Sequence, residues 1–417
     1  MLGSIPSQVS IMEVPRSRWR PMYHGFMPRA ALTLLALLAA GWGPLATAAC
    51  SPEPGLFARE TWILRKTRMP LATRVADLDG DGDLDIVTAN GAGEAVTIHW
   101  GRGDGTFGAP THLNLVVQES LQDLFIRDMT GDGIPDLVVL IESGVAILEG
   151  DGRGGFTATQ AGRVAPCNGC TAALPGDFTG DGITDLYVVG ATASLLYHGP
   201  TWETPVEPPP PHLWVPPRPV PADLDGDALD DLVALRDDGT GRPELIGLVA
   251  TSAGVFLDRP GPAPGGAAEG KVRALAAADV DRDGREDAIA VAGTTLSVSR
   301  GTESGFEEPR VGATGEGEPV AMHAFDATGD GRPEVVVGER SGGLRVLVGT
   351  GRLSFLVGET KAPGWMPASM DSGDIDGDGY DDLVIGVQGQ CCPLSGSGLR
   401  IYYGGPLEED RPLLELQ

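Results

Sequence analysis

Aspartates recur in this chain in short segments whose spacing suits the binding of a cation. The first segment, residues 77–85, reads Asp-Leu-Asp-Gly-Asp-Gly-Asp-Leu-Asp. Carboxylates at positions 1, 3, 5 and 9 can wrap around one ion, and the carbonyl of position 7 adds another oxygen. Glycines at positions 4 and 6 let the backbone turn sharply, including into positive φ. Calcium takes six to eight such oxygens at about 2.3–2.6 Å, so the segment is a candidate calcium loop.

Six further copies of the segment follow at intervals of 46 to 56 residues. We number them loop 1 to loop 7, and they begin at Asp77, Asp128, Asp177, Asp223, Asp279, Asp326 and Asp374. The sequence therefore predicts several bound calcium ions, up to seven. We expect their role to be structural, because the sequence places no substrate-activating groups around the loops.

The seven loops differ in their predicted ligands. Loops 1, 4, 5 and 7 carry four acids each: Asp77, Asp79, Asp81 and Asp85 (with Asp83 as a fifth candidate); Asp223, Asp225, Asp227 and Asp231; Asp279, Asp281, Asp283 and Asp287; Asp374, Asp376, Asp378 and Asp382. Loops 2, 3 and 6 place threonine at position 3: Asp128, Thr130, Asp132 and Asp136; Asp177, Thr179, Asp181 and Asp185; Asp326, Thr328, Asp330 and Glu334. In loop 4, Ala228 replaces the position-6 glycine, and forcing alanine to positive φ costs about 1 kcal/mol. We expect loops with all acids and glycines to bind calcium most tightly.

The charge of the chain supports cation binding over simple turn formation. Its formal net charge is −28, and the seven loops hold 29 of its 58 acidic residues. Crowded carboxylates repel one another unless a cation intervenes, and seven calcium ions would halve the net charge to −14. The same negative charge argues against nucleic acid and anionic membrane surfaces as partners.

The elements around each loop predict β-strands. A β-branched run follows each loop, as in residues 85–88 and 136–140, and a glycine turn leads to a second run such as 96–100. A glycine-rich turn and a polar outer strand then complete the unit. Because the period fits a four-stranded unit, the sequence predicts an all-β fold, a seven-bladed β-propeller of four-stranded blades.

The last unit lacks room for its outer strand before the chain ends. Residues 56–66 resemble an isolated outer strand, and we expect them to pair into the last blade and close the ring. The sequence also leaves open that residues 413–416 take this place.

The units resemble FG-GAP and VCBS repeats, the blades of integrin α-subunit propellers and of many bacterial surface proteins. Residues 107–110 read Phe-Gly-Ala-Pro, and the resemblance covers about residues 55–405. It implies a calcium-loop propeller outside the cytoplasm, but it does not specify the function, because functional sites are grafted onto folds.

The N-terminal 49 residues are interpreted as an extension plus a signal peptide, with Met27 as an alternative start, and residues 50–417 as the propeller. The apolar run 30–40 is too short to span a bilayer. Ala46-Thr47-Ala48 fits a peptidase site, whereas residues 47–50 resemble a lipoprotein signal with lipid on Cys50, although Thr47 stands where leucine is usual. Both interpretations predict an extracytoplasmic protein, either secreted or lipid-anchored at a bacterial envelope.

Four further cysteines favour disulfides in an exported chain, with their pairing left open: Cys167, Cys170, Cys391 and Cys392. The proline-rich segment 200–221 presents Trp202 and Trp214, two candidate ligand-binding residues. Because the aspartate loops all join first and second strands, they share one rim. We expect ligand contact on the opposite rim, which includes residues 386–398.

No catalytic motif stands out, and His99 and His198 lie in strand runs, where packed or surface positions are expected. We therefore expect a calcium-stabilised binding or adhesion module, not an enzyme, with a protein or carbohydrate partner at the cell surface. Two alternatives remain: a polysaccharide-active, lyase-like enzyme, which the sparse basic residues disfavour, and an architectural subunit of the envelope.

Overall fold

The protein is described here by a computed structural model. The structure describes residues 59–63, 69–91, 96–113, 121–141, 144–158, 165–166, 170–190, 194–201, 217–237, 242–252, 254–265, 271–314, 317–361, 365–388, 397–406 and 414–415. All of them belong to one compact unit, Pro54–Gln417. No helix among these residues is long and apolar enough to cross a membrane.

The described residues form strands arranged as the seven blades of a β-propeller, which confirms the predicted fold. The first strand along the chain, β1 (Arg59–Ile63), belongs to the last blade. Blades 1 to 3 contain β2 (Pro70–Ala76), β3 (Asp85–Asn90), β4 (Val96–His99) and β5 (Thr111–Leu113); β6 (Leu121–Arg127), β7 (Asp136–Ile141), β8 (Gly144–Gly150), β9 (Phe156–Ala158) and β10 (Ala165–Pro166); β11 (Ala172–Gly176), β12 (Asp185–Val189) and β13 (Ser194–Tyr197).

Blades 4 to 7 complete the ring. Blades 4 and 5 contain β14 (Val220–Ala222), β15 (Asp231–Asp237), β16 (Pro243–Val249) and β17 (Leu257–Pro260); β18 (Val272–Ala278), β19 (Asp287–Ala292), β20 (Thr295–Ser299) and β23 (Arg310–Ala313), with the hairpin β21 (Gly301–Thr302) and β22 (Gly305–Phe306). Blades 6 and 7 contain β24 (Pro319–Phe325), β25 (Glu334–Glu339), β26 (Leu344–Gly349), β27 (Phe355–Lys361) and β31 (Leu414–Glu415); β28 (Met366–Gly373), β29 (Asp382–Gln388), β30 (Gly398–Tyr403) and β1.

The first strand of each blade is the innermost. These strands contact one another in chain order around the ring, and β2 of blade 1 contacts β28 of blade 7. Pairing within each blade is antiparallel, as between β2 and β3 or β15 and β16. The ring is therefore closed, and the loop between first and second strands lies on the same rim in every blade.

The N-terminal strand supplies the outer strand of blade 7. Residues Arg59 and Ile63 of β1 pair with Tyr403 and Leu399 of β30, which confirms the predicted closing segment. The C-terminal strand β31 does not take this place, because it pairs with the outer edge of β27 in blade 6.

Apolar side chains fill the spaces between blades. Between blades 1 and 2, for example, Val87 and Ile98 pack in one buried cluster with Leu124 and Leu137. Second strands such as β3 are buried along their whole length, as expected for a sheet covered on both faces. The β-branched runs in the sequence thus mark strands that lie between two neighbouring blades.

The interface between blades 1 and 7 is more polar. The hydroxyls of Thr73 and Ser369 are 2.8 Å apart and buried, and the backbone N–H of Val75 donates to Asp371 Oδ2 at 2.9 Å. His99 pairs with Ile86, which packs against blade 7, so its ring faces the same interface. The ring is 1% exposed, and neither ring nitrogen has a hydrogen-bond partner among the described residues. Burial, with a smaller contribution from His112, lowers the pKa of His99 to about 4.

Replacing His99 with leucine should reduce the acid sensitivity of the fold. The pKa of His99 in the folded protein lies below the unfolded value of about 6.5, so its contribution to stability is present above pH 6.5 and is lost as pH falls towards 4. With calcium held in excess, thermal unfolding at pH 7.5 and pH 5 should show a loss about 2 kcal/mol larger in the wild type than in His99→Leu. Equal losses would show that the ring protonates without a folding cost.

Removing the closing strand should destabilise the whole ring. A chain that begins at residue 64 exposes the edge of β30 and should melt several degrees below a chain that begins at residue 54. The control is a chain from residue 54 without residues 411–417, which loses β31 but keeps blade 7 complete and should melt close to the parent. Comparable melting of all three chains would contradict the closing role.

Candidate metal centres

The seven aspartate loops lie on one rim, each between the first and second strand of its blade. In loop 1, Asp77 at position 1 folds the loop around its own carboxylate. Its Oδ1 accepts the N–H of Gly80 at 2.8 Å and its Oδ2 accepts that of Gly82 at 2.9 Å. Both glycines have positive φ, 75° and 93°, as the sequence predicts. The same pair of bonds forms in loops 2, 3 and 7.

The acid at position 9 ties each loop to the rest of its blade. Asp85 Oδ2 accepts the N–H of Leu78 at 3.0 Å, and its Oδ1 accepts the N–H of Gly101, just after β4, at 2.8 Å. The equivalent acids in all seven loops accept the N–H of position 2. Glu334 does so in loop 6 with its longer side chain, at 3.0 Å from Ala327 N.

These position-9 acids are buried to an extent that is unusual for carboxylates. Each is at most 2% exposed. Burial is the largest cause of their raised pKa values, and nearby loop acids add to it. The pKa of Asp85 rises to about 6, those of Asp231, Asp287 and Asp382 to about 7, and that of Glu334 to about 8. A bound cation would offset this cost of burying charge.

Four loops bring three carboxylates together. In loops 1, 4, 5 and 7, oxygens from positions 1, 3 and 9 lie within 4.8 Å of one another. The triads are Asp77, Asp79 and Asp85; Asp223, Asp225 and Asp231; Asp279, Asp281 and Asp287; Asp374, Asp376 and Asp382. In each triad the Oδ1 atom of position 3 is buried and has no hydrogen-bond partner among the described residues; these atoms belong to Asp79, Asp225, Asp281 and Asp376. These triads are placed to bind metal ions, and hard oxygen donors suit calcium.

The acids at position 5 lie outside the triads. Asp81 is exposed, and its Oδ1 accepts the N–H of Asp83 at 2.9 Å, which forms a local turn. The corresponding acids of the other six loops make the same bond to the residue two positions on. Ligation by position 5, and by Asp83 at position 7, therefore stays a prediction.

The loops with threonine at position 3 keep the same framework with fewer carboxylates. The Thr130 N–H donates to Asp128 Oδ1 at 3.1 Å, and Thr328 Oγ1 lies 3.3 Å from Asp326 Oδ1. In loop 3, the Thr179 hydroxyl oxygen is buried within the loop. Among the described residues, none of these three loops forms an acidic triad. This agrees with the expectation that they differ from loops 1, 4, 5 and 7.

Two loops contain a residue other than glycine at positive φ. Ala228 at position 6 of loop 4 has φ +68°, as predicted. Asp223, the position-1 acid of loop 4, accepts the N–H of Gly226. Among the described residues it does not accept the N–H of position 6, whereas Asp77 accepts that bond in loop 1. In loop 5, position 4 is Arg282 with φ +62°, which the sequence analysis did not consider. Loop 5 therefore has a complete set of acids but lacks one of its two glycines.

Acids at position 8 connect successive loops, a role that the repeat pattern did not predict. Asp230 of loop 4 accepts the N–H of Asp177 at 2.9 Å, and its own N–H donates to the Asp177 carbonyl at 3.1 Å. Glu286 of loop 5 makes the same reciprocal pair with Asp223, with both distances 3.0 Å. The sequence signal for this contact between loops is a pair of adjacent acids at positions 8 and 9, which occurs in loops 4, 5 and 7.

Several predicted site residues lie outside the described residues. These are Cys50, Cys167, Trp202, Trp214, Cys391 and Cys392. Cys170 is described and is disulfide-bonded, which agrees with the expectation for an exported chain. His99 is packed inside blade 1, and His198 is half-buried with its Nδ1 3.4 Å from Asp185 Oδ1.

The fold and the loops together define a β-propeller with acidic, metal-accepting loops on one rim. A family model for the FG-GAP-like repeat matches residues 77–139, 128–188, 279–337 and 326–385, more than half of the chain. Each match begins on the first aspartate of a loop. The chain belongs to the FG-GAP-like repeat family. Comparison with curated protein sequences gives no match.

Solved structures share the fold at low sequence identity. The BP39L lectin from Burkholderia pseudomallei superposes with a TM-score of 0.60 at 14% identity, covering 84% of this chain and 99% of the lectin. An Agrocybe aegerita lectin that recognises non-reducing terminal N-acetylglucosamine gives 0.53 at 16%, covering 80% and 94%. BBS1N, crystallised in complex with ARL6DN, gives 0.54 at 13%, covering 86% and 98%. At these identities the likeness shows the fold alone.

Calcium should stabilise the protein through the triads. Thermal unfolding should shift to a higher temperature with calcium and to a lower one with EDTA, because each site filled at 100 times its Kd adds about 2.7 kcal/mol. Asp79→Asn should reduce the shift, since it removes a carboxylate from the loop 1 triad. Asp104→Asn is the control, because Asp104 is exposed and bonds to Thr106 in a turn outside the loops. If calcium and EDTA leave the melting temperature unchanged, or if Asp79→Asn keeps the full calcium shift, the loops are turns that fold without metal.

Proposed function

We propose that this protein is a non-enzymatic binding module, stabilised by calcium, that takes a protein or carbohydrate partner on the rim opposite the aspartate loops. The main support is a cavity of about 320 Å³ on that rim. Its lining includes Pro319, Met366 and Pro367, where β24 and β28 begin, and Gln388, where β29 ends. The aspartate loops adjoin the opposite ends of these strands.

The cavity combines hydrogen-bond donors with apolar surface. Glu318 holds two guanidinium groups beside it, with Arg340 Nε 2.9 Å and Arg273 Nη2 3.3 Å from its carboxylate oxygens. Gln388 adds an amide, whose nitrogen donates to the Pro70 carbonyl at 3.3 Å. Among the described residues that line the cavity, these two arginines and Gln388 place hydrogen-bond donors on the rim of a strongly acidic chain. Such a surface suits a partner that presents carboxylates or hydroxyls, as acidic protein side chains and sugars do.

The structural neighbours are compatible with both classes of partner. Two of them are named as lectins, and the third is crystallised with a protein partner. The common fold thus accommodates carbohydrate and protein ligands elsewhere, and the choice for this chain depends on its own rim residues.

We also propose an extracytoplasmic location, which would suit a role in surface binding. The disulfide of Cys170 favours an oxidising compartment, and the apolar run 30–40 with small residues before Cys50 has the composition of an export signal. We propose a secreted or lipid-anchored protein of the bacterial envelope on this basis. Mass spectrometry of the mature N-terminus distinguishes lipid on Cys50 from cleavage after Ala48.

The binding role is tested on a glycan array and, in parallel, by capture of surface proteins with purified residues 51–417 in calcium. A hit should weaken at least tenfold in the double variant Arg340→Ala with Gln388→Ala. Arg153→Ala is the matched control, because it removes an exposed arginine from a turn on the aspartate-loop rim. Loss of binding in the control but not in the cavity variant would place the ligand on the other rim. No binding to any glycan or surface protein would argue for an architectural role.

A further inference from the structure

Loop 5 differs from the other candidate metal loops because, among the described residues, one arginine contacts two of its acids at short distance. Arg300 Nε is 2.7 Å from Asp281 Oδ2, and Arg300 Nη2 donates to Asp283 Oδ2, also at 2.7 Å. Its Nη1 is 3.8 Å from Glu307. One guanidinium therefore contacts positions 3 and 5, two of the four carboxylates that the sequence assigns to calcium in this loop.

The position of Arg300 in the blade explains why it reaches the loop. It directly precedes Gly301, whose N–H donates to Asp287 at position 9 of loop 5. In the other six blades, the residue that directly precedes the equivalent N–H donor is Trp100, Glu149, His198, Val249, Val348 or Tyr403. Only blade 5 has an arginine or lysine at this position, so the Arg300 contact is a property of this chain's sequence at one blade.

Two more arginines add positive charge to loop 5. Arg282 at position 4 donates to the Asp330 carbonyl of loop 6 at 3.0 Å, and Arg285 at position 7 donates to Glu303 at 3.2 Å. By contrast, no ion pair involves the five aspartates of loop 1 among the described residues. In loop 7 the nearest cation, Arg59, lies 3.6 Å from Asp376 and stacks on Tyr403. The negative charge of loop 5 is thus compensated by the protein to a greater degree.

We propose that Arg300 is a built-in counter-ion for loop 5, which keeps its fold without calcium while loops 1, 4 and 7 bind the ion. This inference rests on the proposed calcium binding of the other triads. The complete set of acids in loop 5 would by itself predict one of the tightest calcium sites, and this proposal predicts the opposite. The guanidinium lowers the negative charge of the loop because it contacts the Oδ2 atoms of Asp281 and Asp283, while the Oδ1 atom of Asp281 has no hydrogen-bond partner among the described residues.

Calcium stoichiometry tests the proposal with matched position-3 variants of the full chain. Asp225→Asn in loop 4 should lose one bound calcium ion per chain by equilibrium dialysis with metal analysis. Asp281→Asn in loop 5 should keep the wild-type number. If Asp281→Asn also loses one ion while the wild type binds calcium, the role of Arg300 is overturned but calcium binding stands. If the wild type binds no calcium, both proposals are overturned.

A second comparison tests the arginine itself. Arg300→Met should bind one more calcium ion than the wild type and should melt lower than the wild type in EDTA, with the difference removed by calcium. Arg310→Met is the control in the same blade, since Arg310 contacts only the Arg352 carbonyl at 2.9 Å among its described partners. Equal stoichiometry and equal melting of the two variants would overturn the proposal.

Discussion

The buried carboxylate at position 9 is the interaction on which the rest of each blade depends. It stands at the first residue of the second strand, as Asp85 does in β3, and accepts N–H groups from the loop and from the end of the third strand. A buried charge without partners is costly, so both bonds are needed to hold it. The same carboxylate thereby ties the loop to two strands, and in loops 1, 4, 5 and 7 it contributes one oxygen to the acidic triad.

The remaining charge of the loops is compensated in several ways within one ring. Backbone N–H groups surround the acid at position 1, and threonine replaces the position-3 acid in three loops. The other four loops keep acidic triads, and their position-3 Oδ1 atom has no hydrogen-bond partner among the described residues. In loop 5 the side chain of Arg300 contributes a cation from the third strand. Unequal solutions can coexist because each blade packs mainly on its two neighbours, so a change in one loop acts mainly on the adjacent loops.

The sequence carried enough information for the fold and for most of the loop chemistry. A repeat of aspartates and glycines, with β-branched runs after it, indicates both the strands and their order. The short last unit indicates that a segment from elsewhere must complete it, and the structure shows that this is the strand near Arg59 and not the C-terminus. Contacts that depend on register between strands were not readable. The bond from Gly101 to Asp85, the reach of Arg300 to Asp281 and the link from Asp230 to the preceding loop all join residues of separate elements.

The two rims of the propeller therefore have different physical characters. On the aspartate rim, side chains are committed to bonds within the loops and between successive loops, such as the reciprocal pair of Glu286 and Asp223. A partner binding there would compete with contacts that hold the blades. On the opposite rim, the strands β24 and β28 begin beside a cavity whose two arginines both contact Glu318. Side chains on that side can change without loss of the bonds that hold the aspartate loops, which is the physical reason for proposing that a partner binds there.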